Sequence, residues 1–75
     1  MEVKINNCYK HFKGNVYIVL HIAKNTENLK QMVVYQDISD KTKVWVRPLL
    51  EFTSLVDNLK YPNIKQKYRF EILND

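Results

Sequence analysis

The sequence predicts a mainly β fold: five short strands curled into a small barrel, with one helical turn ahead of the last strand. Three observations carry this. Residues 16–23, 32–38 and 43–47 are strand-length runs rich in β-branched and aromatic side chains, separated by clusters of Asn, Asp, Ser and Thr that favour turns. The apolar spacing becomes helical once, directly after Pro48. It then returns to strict alternation over residues 67–73.

Residues 3–5 alternate weakly, and Asn6-Asn7 turns the chain into a short extended piece, residues 8–12. Gly14, the single glycine, follows between Lys13 and Asn15, where it takes a positive φ at no steric cost. Residues 16–23 are apolar at both parities, which predicts a central strand covered on two faces. Residues 25–28 make the hairpin loop and residues 32–38 the returning strand, again apolar on both faces. Residues 39–42 form the next turn and residues 43–47 the third strand of a meander, which Pro48 ends because it cannot donate to a ladder. Beyond it Phe52, Leu55, Val56 and Leu59 stand at i, i+3, i+4 and i+7, the stripe of an amphipathic helix. Thr53, Val56 and Asp57-Asn58 are poor helix formers, so one helical turn followed by irregular chain is the competing reading. Tyr61-Pro62-Asn63 stops either. In residues 67–73, Tyr68, Phe70 and Ile72 share one face and Lys67, Arg69 and Glu71 the other, the pattern of a half-buried edge strand. A sheet this small cannot cover its edges unless it closes or nearly closes, which selects an SH3-like barrel, with an OB-like barrel second.

The 75 residues form one domain, since a chain of this size buries only about 60 to 65% of its unfolded surface and has no room for a separate cofactor domain. An apolar fraction of 45%, nine aromatic residues and a single Gly with two Pro belong to a globular chain. Cys8 has no partner in the chain, so packing alone must hold the fold, and a reducing cytoplasm suits it. The first residues lack an apolar export signal, and the longest apolar run, residues 16–23, is too short to span a bilayer. A cytoplasmic protein with no membrane partner is the expectation. The net charge of +4 favours acidic partners, yet ten of the twelve cations are Lys and they interleave with all eight acids, as on a solvated face.

A series of short motifs resembles a known family. Tyr9-Lys10-His11-Phe12-Lys13-Gly14 comes first, then Tyr17, Val19-Leu20, Ala23, Thr26-Glu27 and Val33-Val34-Tyr35-Gln36. Trp45-Val46-Arg47-Pro48, Phe52 and Arg69-Phe70 complete the series. Together they are similar to the pattern of the bacterial domain of unknown function family 1653, over nearly everything from residue 9 to residue 72. The resemblance implies a small SH3-like barrel of bacteria or their phages with no activity assigned. The chain departs from the pattern at Asn25, where a His is usual, at Ser39, where an aromatic residue is usual, and in a longer segment over residues 56–67.

No pattern in the chain signals a reaction. Cys8 and His11 with His21 suggest zinc ligands, but positions three apart on an extended strand point to opposite faces and no fourth ligand is evident. The same geometry separates Cys8 from His11 as a nucleophile and base, and Cys8 reads as a small buried hydrophobe. Ser39 and Ser54 lack the glycine-flanked elbow of a hydrolase serine, Asp37 and Asp40 are turn acids, and one glycine cannot build a phosphate loop. The expectation is a non-enzymatic protein without metal or cofactor.

Trp45 and Arg47 are the residues that point to binding. If Val44 and Val46 face inward, the indole and the guanidinium share the outer surface, and by the same count Tyr9, His11 and Lys13 lie together opposite Cys8 and Phe12. Rings mixed with Arg, Lys and His hold an extended peptide or stack nucleic-acid bases. The competing reading makes Trp45 a core residue with Arg47 laid over it. The sequence therefore predicts a binding module that meets a protein partner through Tyr9, His11, Lys13, Trp45 and Arg47, with strand addition at residues 67–73 as a further contact. Nucleic-acid binding is the alternative.

Overall fold

The computed structural model describes residues 2–73. Five strands form one antiparallel sheet: β1 (Cys8–His11), β2 (Val16–Lys24), β3 (Gln31–Asp37), β4 (Val44–Pro48) and β5 (Phe70–Ile72). A single helical turn, α1 (Leu49–Phe52), follows β4 directly. The strand order is β4-β3-β2-β1-β5, so the predicted meander is present and the last strand returns to pair with the first. β4 and β5 are the two edges and do not pair, so the sheet is not closed by hydrogen bonds. It curls instead: the Arg47 guanidinium on one edge strand lies 5.9 Å from the centre of the Phe70 ring on the other.

The concave face holds the core, made of Tyr9, Val19, Val33, Tyr35, Phe52 and Phe70. Aromatic rings dominate because one curled sheet must fill its own interior with little help from a second layer. Phe52 from α1 stacks on Phe70 at 4.0 Å, while Tyr9 and Tyr35 meet the Phe52 ring edge-on at 5.5 and 5.4 Å. Each such pair adds about 0.5–1.5 kcal/mol beyond the area it buries.

Residues 3–5 form no strand; that segment is held against the sheet by Lys4, whose N–H donates to the Tyr9 hydroxyl at 2.8 Å, and by Asn6, whose N–H donates to the Val19 carbonyl. Two sequence expectations change here. The two-faced apolar pattern of β2 does not mean two covered faces. A bulge between Val19 and His21 shifts the alternation, so Tyr17 and Val19 face the core before it and Ile22 after it. The convex face of the sheet has no second layer among the described residues, and Val44 and Val46 stand exposed on it. Finally, the stripe Phe52, Leu55, Val56 and Leu59 is not a helix face: Phe52 and Val56 are buried, but Leu55 and Leu59 are exposed. Thr53 and Ser54 end the helix by turning their hydroxyls onto the carbonyls of Leu49 and Glu51.

Residues 53–69 are irregular but tied down. Leu55 bridges Tyr68, the Val56 N–H donates to the Lys67 carbonyl, and Gln66 Nε2 donates to the carbonyls of Lys10 and Tyr68. Turns follow the predicted chemistry. Gly14 has φ of 113°, and the side chains of Asn25, Asp37 and Asp40 each accept the N–H two residues on. The hydroxyls of Ser39 and Thr42 donate to those two aspartates and hold both carboxyls below their ordinary range. No described helix is long and apolar enough to cross a membrane.

Candidate functional site

Register fixes which way β4 presents its side chains. Trp45 pairs with Tyr35 and Arg47 with Val33, and both partners are core residues, so Trp45 and Arg47 belong to the concave face. The premise that Val44 and Val46 point inward is overturned; they occupy the convex face, 49% and 59% exposed. Trp45 is neither closed into the core nor carried away from it. It sits at the margin of the concave face, 50% exposed, because β4 is an edge strand with no further strand beyond it among the described residues.

Beside it the concave face opens into a cleft of about 180 Å³. His11 and Lys13 enter from the end of β1 and the turn after it, Asn15 and Tyr17 from the start of β2, and Arg47 from β4. Tyr35 and Phe70 line its base. Three of the five residues predicted for binding thus converge, His11 and Lys13 from β1 and the turn after it and Arg47 from β4. Tyr9 does not join them: it lies at the centre of the curl, 1% exposed. The alternation that put Tyr9 on the same face as His11 was correct, but that face is the core, and only its end is open.

The Arg47 guanidinium is positioned from below and from the side. Its Nε donates to the Tyr35 hydroxyl at 3.2 Å, and its Nη1 lies 3.6 Å from the Glu51 carboxylate one helical turn on. The Arg47 side chain is still 30% exposed, so the charge is held rather than buried. Lys13 reaches over the aromatic pair Phe12 and Tyr61, its Nζ being 5.9 and 5.5 Å from the ring centres. Alternation along β1 predicts Phe12 on the face opposite His11. β1 ends at His11, so alternation no longer applies, and Phe12 stacks on the imidazole at 4.4 Å.

His11 is packed edge-on against Phe70 at 4.9 Å, and its Nδ1 accepts the Lys13 N–H at 3.1 Å. Burial, then the positive charges of Arg47, Arg69 and Lys13, lower its pKa from 6.5 to about 4. It is therefore neutral near pH 7, with its own proton on Nε2, and the positive charge of the site rests on Arg47 and Lys13. Cys8 pairs with Ile18 on the convex face, away from His11.

Sequence reasoning did not find Asn15, Tyr17, Tyr35 and Phe70 as part of the site. Tyr17 and Tyr35 lie in strands whose two-faced apolar pattern predicts cover, and Tyr35 is buried; their rings meet edge-on at 5.2 Å and both residues line the cleft. Asn15 carried a usable signal, since a tight turn at Gly14 places it next to Lys13.

The family described as protein of unknown function DUF1653 matches residues 7–72. The chain belongs to the DUF1653 family. That match takes in all five strands, α1 and every residue of the cleft, so the DUF1653 pattern spans the site as well as the core. No curated protein and no solved structure matches the chain.

Proposed function

We propose that this DUF1653 protein is a non-enzymatic binding module that engages another protein through its basic cleft, with Trp45 as the apolar contact beside it. The observation that carries this reading is Arg47, fixed by the Tyr35 hydroxyl at the open end of an aromatic core, with a half-exposed indole two residues away on the same face. Preorganised arginine next to an exposed tryptophan is the combination that anchors protein interfaces, because little side-chain freedom is left to lose on binding. The separation of Cys8 from His11 supports a role without nucleophilic chemistry. The curled five-stranded sheet is consistent with an SH3-like barrel left open between β4 and β5, and the single Cys8 suits a reducing bacterial or phage-infected cytoplasm.

The second reading is nucleic-acid binding, favoured by the net charge of +4 and by Tyr61, whose ring has Lys13 Nζ and Lys60 Nζ each at 5.5 Å. It is weaker because the rings at the base of the cleft, Tyr35 and Phe70, are buried and offer no face on which a base stacks. Affinity capture with the wild-type protein and with Arg47→Glu separates the two. The protein reading expects a specific partner retained by wild type and lost on charge reversal. Recovery of no such partner, alongside saturable oligonucleotide binding that falls steeply with salt, would replace it with the second.

A further inference from the structure

The polar groups that line the cleft are almost all hydrogen-bond donors with nothing to donate to. The Tyr35 hydroxyl accepts from Arg47 Nε and the Tyr17 hydroxyl accepts from Asn15 Nδ2 at 3.4 Å, so each phenol keeps its own O–H without an acceptor among the described residues. Arg47 Nη2 also has no partner among the described residues, and His11 carries its proton on Nε2 because Nδ1 is occupied. Among the described residues no carboxylate lines the cleft, and the Asn15 amide oxygen is its one side-chain acceptor that takes no hydrogen bond from the protein. A cleft of donors and positive charge is complementary to a group that only accepts.

Taking the proposed protein-binding role as its basis, we infer that the cleft seats one carboxylate of an acidic side chain in an extended segment of the partner, held by Arg47 with the Tyr17 and Tyr35 hydroxyls. The apolar floor, not the charge, favours a side-chain carboxylate over inorganic phosphate, which has no methylene stem to lay on Tyr35 and Phe70. Arg47 is already shared with Glu51, whose carboxylate stands 3.6 Å from Nη1 and competes with any incoming anion. The buried rings of Tyr35 and Phe70 give the methylene stem of such a side chain an apolar wall. His11 would report the event. The groups acting on it are Lys13 from the turn after β1, Arg47 from β4 and Arg69 ahead of β5, all cationic, so an anion placed among them offsets the charges that keep the imidazole unprotonated.

The test is an NMR titration at constant ionic strength with three probes: a capped tetrapeptide containing one Glu, the same peptide with Gln, and inorganic phosphate. The Glu peptide should shift His11 and Tyr17 saturably and raise the midpoint of His11 titration above about 4. The Gln peptide should not. Glu51→Gln should tighten the Glu peptide by about two- to five-fold, the effect of removing one exposed competing charge, an increase that an unfolded variant cannot imitate. Equal binding of both peptides, binding of neither, tighter binding of phosphate, or no gain from Glu51→Gln would overturn the assignment. A partner captured by wild type and lost with Arg47→Glu, in the face of a failed peptide titration, leaves the protein-binding role standing and removes only the carboxylate seat.

Discussion

Alternate residues of β4 make two surfaces. Trp45 and Arg47 face the core side, where Arg47 is hydrogen-bonded to Tyr35, paired with Glu51 and laid against Phe70. Val44 and Val46 face the convex side and stand exposed, with no layer above them among the described residues. The polar face is ordered by what lies beneath it, and the apolar face is left without cover. An edge strand with one neighbour produces both at once: its inward residues reach the margin of the core, where a cation can sit over rings and still meet water, and its outward residues have only the pleat to shelter them.

That contrast can be broken first at the base of the cleft. Phe70→Ala removes the ring that stacks on Phe52 and supports both His11 and Arg47, and it should cost about 3–5 kcal/mol in denaturant-induced unfolding, the range for a buried Phe. A loss below about 1 kcal/mol would mean that the aromatic core does not support the cleft. Tyr35→Phe keeps the ring and deletes only the hydroxyl that accepts from Arg47. It should cost about 1 kcal/mol and weaken partner binding without altering the fold, as read by denaturation and by titration of the partner.

The next effect is a pH slope. The folded protein holds His11 at about 4 against 6.5 in the unfolded chain, so the unfolded state binds the extra proton between those values. Stability therefore falls as pH drops from about 6.5 to about 4 and rises as pH returns. His11→Gln should flatten this part of the stability profile relative to wild type, the comparison cancelling the carboxylates common to both. The smallest effect is on the convex face: Val46→Thr should change stability by no more than about 0.5 kcal/mol and leave partner binding untouched.

What could be read in the chain was period, and what could not was phase. The β2–β3–β4 meander and Gly14 at a positive φ follow from local patterns, and they are present. Alternation also paired Trp45 with Arg47 correctly. Which side of the sheet they face depends on Trp45 standing opposite Tyr35, a register that no local pattern in β4 contains. Tyr9 was misplaced for the same reason, since a shared face with His11 says nothing about where along that face the core ends. The bulge after Val19 shifted the alternation inside β2, and Val16 and Ile18 before it are apolar on the convex side, so the pattern of β2 looks two-sided. After Pro48 the failure was competition: Thr53 and Ser54 hydroxyls take the carbonyls that a longer helix would need, which left the helical spacing of Leu55 and Leu59 without a helix.

The cleft on the concave side of β4 as the partner-binding surface is tested most directly by mapping amide and side-chain chemical-shift changes across the protein as the captured partner is titrated in. The changes should concentrate on His11, Lys13, Tyr17, Trp45 and Arg47. Changes centred on Val44, Val46 and the convex strand residues, with the cleft signals unmoved, would contradict it.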